Sequence, residues 1–142
     1  MTPVILFAVM AALAFGAWTI FHQQAANRVD YLFGAIIISF TAVVLGLLLL
    51  LPRIKFTALF SNSRGILFAA LAGVCALAID YFALKAYGSG LAVSVAGPII
   101  IGGSIAVAAI TGFLFGESMT LVKLLGLILV VIGASILATF GK

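Results

Sequence analysis

The chain has 142 residues, 66% of them hydrophobic and only 7% charged, with a mean hydropathy of +1.46, and a water-soluble domain of that size cannot hide so much apolar surface. The composition therefore excludes a soluble domain and implies an integral membrane protein. A net charge of +4 would suggest a nucleic-acid partner in a soluble chain, but here the basic residues stand singly at the ends of apolar runs, where orientation and snorkelling explain them, so no nucleic acid is expected.

Crossing the hydrocarbon core takes about 20 apolar residues, and five runs of that length follow one another, at about 3–22, 31–51, 65–87, 91–115 and 119–140. The expectation is an all-α fold, a polytopic bundle of five transmembrane helices forming a single domain over residues 1–142. The first run has no basic n-region and is too long for a typical signal-peptide core, so it is read as a span. Trp18 and His22 lie one turn apart near its end. There an interfacial anchor is the ordinary reading, with a place on a transport path as the alternative. Between the second and third spans, "KFTALF" at 55–60 has the pattern of a short amphipathic piece lying in the interface.

The third span carries Asp80. A carboxylate near the bilayer centre costs roughly 2.5 to 3.5 kcal/mol on the insertion scale, and the Leu, Ile, Phe and Val residues of this span offset it with on the order of 4 kcal/mol. Insertion is accounted for, and the reason for an acid in this place is not. Gly73, Ala76, Asp80, Ala83 and Tyr87 follow one another at three and four residues, a helical face of small residues that is expected to point into a bundle. Lys85, five positions beyond Asp80, is turned about 140° away from it. Two readings stay open: Asp80 fastens helices together, or it holds charge and exchanges a proton in a central cavity. Cys75, the sole cysteine, forms no disulfide within one chain and is read as a small packing residue.

In the fourth span Ser94, Gly97, Ile101, Ser104, Ala108 and Thr111 share a face. Pro98 removes the donor that would bond the Ser94 carbonyl, and Gly102 and Gly103 follow, so a kink or flex point is expected across Gly97, Pro98, Gly102 and Gly103. Interrupted helices of this kind build substrate sites in transporters, and they also occur as plain packing kinks. Glu117 precedes the fifth span and is read as offsetting the positive start of that helix, with a Ser as cap. Gly126 and Gly133, seven apart, leave a groove suited to helix or dimer packing. The polar residues contain no nucleophile with a base, no carboxylate dyad, no phosphate loop and no metal-ligand cluster, so the expectation is no enzyme, no metal and no cofactor.

From Tyr81 onward, Ala83, Leu84 and Lys85, then Pro98, then Gly116 and Glu117, then Gly126 and Gly133 form an ordered set over about 60 residues. In that order and spacing the set resembles the last three helices of an EamA-type half of the drug/metabolite transporter superfamily. The last helix also resembles the dimer-forming helix of small multidrug resistance proteins, although their first-helix acid has no counterpart here. The resemblance implies one half of a ten-helix arrangement of inverted repeats, working as an antiparallel homodimer or beside a paralogous half. Counting Lys and Arg by side, Arg53, Lys55, Arg64 and Lys123 lie with the N-terminus and Arg28, Lys85 and Lys142 opposite. That near balance permits dual topology. The expected function is secondary transport of a small organic molecule, as drug or metabolite export through the cell inner membrane or plasma membrane. Asp80, Tyr87, Ser94, Ser104 and Trp18 are expected to line the path, with Asp80 as the proton-coupling group. The alternatives are a flippase for a lipid-linked sugar and a non-transporting subunit that stabilises a partner.

Overall fold

The computed structural model describes residues 3–53 and 62–140; the "KFTALF" segment lies outside the described residues. Every expected span is a helix: α1 Pro3–Ala25, α2 Tyr31–Leu50, α3 Ser63–Gly88, α4 Val93–Leu114 and α5 Leu121–Phe140, with a 3-10 turn at Leu51–Arg53 after α2. No strand occurs among the described residues, and all five helices are long and apolar enough to cross a membrane. The fold is an all-α bundle of a multi-pass membrane protein.

The helix ends follow from local chemistry. After α1, Asn27 adopts φ 64°, the left-handed conformation that Asn tolerates better than most residues, and the Arg28 amide donates to the Ala25 carbonyl. Asp30 then caps α2, its carboxylate accepting from the Leu32 and Phe33 amides at 3.0 Å each. Pro52 lacks an amide hydrogen, which suits the tight turn that ends α2. Asn62 starts α3 by accepting from the Gly65 amide at 3.0 Å. Helix α4 runs through Pro98 without a break. It ends in a Schellman pair, in which Gly116 at φ 90° donates to the Phe113 carbonyl and the Glu117 amide to the Gly112 carbonyl, each at 3.0 Å. The expectation for Glu117 is thereby changed. It belongs to the end of α4, and the side chain that caps α5 is Thr120, whose hydroxyl accepts from the Lys123 amide at 3.3 Å.

By its contacts the chain groups into two compact units, dividing after Gln23 and after Gly88. In the unit containing α2 and α3, helix approach depends on absent side chains. A Cβ on Gly34 would sit 2.8 Å from Leu84 Cδ1, and one on Gly88 only 2.5 Å from the Tyr31 hydroxyl oxygen. Leu84 is fully buried, beside Gly34, Ala35 and Ala83. In the unit containing α1, α4 and α5, α4 packs on α5 where Gly102 faces Ala134, whose Cβ a Cβ on Gly102 would approach to 2.9 Å. The expected seam at Gly126 and Gly133 is not the contact used within the chain, since a Cβ on either would meet nothing within 4 Å. Cys75 is exposed, not packed.

Candidate functional site

The expected small-residue face of α3 divides. Asp80, Ala83, Leu84 and Tyr87 are buried, whereas Gly73 and Ala76, further back along the same stripe, are exposed. Asp80 retains 6% of its accessible surface and Tyr87 4%, and seven residues of helix separate them by about 10 Å along the axis. The buried Tyr87 hydroxyl has no hydrogen-bond partner among the described residues, which for a polar group away from water costs on the order of 1 to 3 kcal/mol. Lys85 is exposed, with its ammonium 5.9 Å from the centroid of the Tyr81 ring. One side of α3 thus carries an acid and an unpartnered hydroxyl, and another its only cation near that end.

Near the end of α1 the reading of Trp18 and His22 as interfacial anchors meets an unexpected burial: His22 is 2% exposed and Thr19 5%, while Trp18 is half-buried. His22 Nδ1 lies 2.9 Å from the Trp18 carbonyl oxygen. A carbonyl only accepts, so Nδ1 carries the hydrogen of this contact. The Trp18 ring covers the imidazole, with centroids 3.7 Å apart and planes 41° apart. Thr19 is satisfied locally, its hydroxyl donating to the Gly16 carbonyl at 2.7 Å. His22 is a buried polar side chain that the sequence pattern underrated, although its spacing of four from Trp18 was visible.

Along α4 the expected face is exposed apart from Gly97. Ser94 and Ser104 are exposed, and Ser104 donates its hydrogen to the Ile101 carbonyl at 2.8 Å, as Thr111 does to Val107 at 2.7 Å. A hydroxyl bonded to its own helix has little left to donate to a ligand. The glycines and proline are placed differently. Gly97, Pro98 and Gly102 on α4, Gly133 on α5 and Thr19 on α1 line one open, mostly apolar cavity of about 530 Å³, within the range of small-molecule sites. Gly103 lies on a neighbouring groove of about 270 Å³ with Ser135. Gly126 lines a third, of about 260 Å³, beside Glu117 and Lys123.

The structure therefore buries Asp80 and Tyr87 on one face of α3, about 10 Å apart along the axis, and gathers three of the four flex residues with Gly133 around a cavity in the other unit. Trp18, Ser94 and Ser104 do not line that cavity. No group of three or more His, Cys, Asp or Glu able to hold a metal ion occurs among the described residues. These features define a multi-pass membrane protein with acidic, imidazole and phenol groups buried inside its spans. No protein-family model, curated protein or solved structure matches the chain.

Proposed function

We propose that this chain is one half of a dimeric secondary transporter that exports a small organic molecule across a cell inner membrane or plasma membrane, and that it belongs to the EamA-type branch of the drug/metabolite transporters. The observation that carries the reading is Asp80, 94% buried within a span of high hydropathy. Intramembrane acids face protein or water-filled cavities and mark ion and substrate paths. Tyr87 on the same face offers a hydroxyl to a substrate, and His22 on α1 adds a second buried polar side chain within the spans. The flex residues around the α4 cavity supply the backbone freedom that rocking between two access states requires.

Purified protein in liposomes, given an imposed proton gradient and a panel of cationic and neutral organic solutes, tests the proposal. Gradient-driven flux of at least one cationic solute is expected, and Asp80→Asn is expected to lose the gradient dependence while inserting normally. Gradient-driven flux that is unchanged in the variant would remove Asp80 from the mechanism. The open, apolar side of the 530 Å³ cavity favours a second reading, a flippase for a lipid-linked sugar. That reading predicts headgroup translocation indifferent to the proton gradient. Liposomes that move neither class of solute would point instead to an accessory subunit.

A further inference from the structure

The turn between α4 and α5 joins two spans and so lies at a membrane surface. Its Schellman geometry folds Glu117 back over the end of α4, where a Cβ on Gly112 would sit 3.1 Å from the Glu117 Cδ and Oε2 atoms. That is the negative end of the α4 dipole, which disfavours an anion. Lys123, third residue of α5, sits at the positive end of the next helix, which disfavours a cation, and its ammonium donates to the Ser118 carbonyl at 3.0 Å. Two further N–H donors of that ammonium remain. Among the described residues the Glu117 carboxylate has no hydrogen bond or ion pair, and it lies beyond ion-pair distance of Lys123. Each helix end thus carries the charge that its own dipole repels, and the two charges do not neutralise one another.

Both charges line a groove of about 260 Å³, whose other walls include Phe113, Leu127 and Val130. From Lys123 to Val130 the axis advances about 10 Å, from the surface into the hydrocarbon. The groove is therefore charged at the interface and apolar in depth, the complement of an amphiphile. We infer that it binds a phospholipid with a primary amine in its headgroup, such as phosphatidylethanolamine. The lipid ammonium meets Glu117, its phosphate meets Lys123, and the start of an acyl chain lies along Phe113, Leu127 and Val130. A glycerol headgroup brings no cation for Glu117, and a quaternary ammonium has no N–H to donate. A free phosphate would answer Lys123 alone and leave the apolar wall bare.

The test reads lipid retention and is independent of transport. The full-length protein, purified in mild detergent, is equilibrated with equal amounts of phosphatidylethanolamine, phosphatidylcholine and phosphatidylglycerol of matched chains, and bound lipid is counted by native mass spectrometry. One charge-assisted contact corresponds to a preference of about fivefold for the primary amine over either competitor. Glu117→Gln is expected to bring that preference to about one while lipid is still held, and Lys123→Gln to lower retention of all three. Equal retention of the three lipids by the wild type would overturn the proposal, and so would a Glu117→Gln protein that keeps the preference. Lipid absent from dimers but present on monomers would assign the groove to a second copy and overturn it as well. Wild-type selectivity needs no variant, so a substitution that fails to fold leaves the proposal open to refutation.

Discussion

A hydroxyl buried with no partner costs stability, and Tyr87 carries one that finds none among the described residues, on the same helix face as Asp80. Replacing it with Phe keeps the ring and removes the stranded group, so Tyr87→Phe is expected to stabilise the fold by about 1 kcal/mol, read as a higher unfolding midpoint in detergent. In the transport assay the same variant is expected to lose activity. A residue whose removal improves the fold and impairs flux serves the flux; gain of stability with full activity would return Tyr87 to the packing. The pair was legible in the sequence because an acid in an apolar run is conspicuous and a spacing of seven returns to the same face. The burial of His22 was not, since an aromatic pair at the end of a span has the same pattern whether it faces headgroups or protein. Glu117 was misassigned for a different reason. An acid just before an apolar run resembles a helix start, but Gly116 before it is the signature of a helix end, and Thr120 immediately before Leu121 is the better cap.

Helix boundaries fell within about three residues of those expected from hydropathy, because hydropathy is the property that a bilayer selects on. Which helix pairs with which was beyond that pattern. Helices apolar on every side present no moment to orient them, so the close approach of Gly102 to Ala134, and not of Gly126 or Gly133 to a neighbour, had no periodic signal. The distinction predicts opposite outcomes for similar substitutions. Gly102→Ala places a Cβ 2.9 Å from the Ala134 Cβ, an atom fixed to its backbone, so α4 and α5 must separate. A loss of about 1 to 3 kcal/mol is expected, measured as a lower midpoint on titration with a denaturing detergent. Gly133→Ala has open space within the chain and is expected to leave that midpoint unchanged. If a second copy seats on α5, Gly133→Leu is expected to shift sedimentation toward monomer with the single-chain midpoint unaltered. An unshifted dimer would place the interface elsewhere.

The buried apolar core of the described residues is thin, comprising four alanines with Leu84, Tyr87 and Val95, and α5 buries no residue at all. Lipid tails are as apolar as leucine, so a membrane helix gains little by burial alone and associates where backbones come close or polar groups pair. With so few apolar side chains buried among the described residues, the proposed half-transporter has apolar surface to bury against a second chain. Whether that chain is an inverted copy of itself depends on orientation, for which the Lys and Arg count of four against three offers almost no bias. Single cysteines at Gln24 and Ser118, both exposed and at opposite ends of the expected topology, introduced after Cys75→Ser, report this directly when intact cells are treated with a membrane-impermeant maleimide. Dual topology predicts labelling of about half the molecules at each position. It also predicts that an extra Arg in either connection drives one position toward full labelling and the other toward none. Complete labelling at Gln24 with none at Ser118 would fix one orientation for every copy. An antiparallel homodimer would then be excluded, and the second half of the proposed transporter would have to be a different chain.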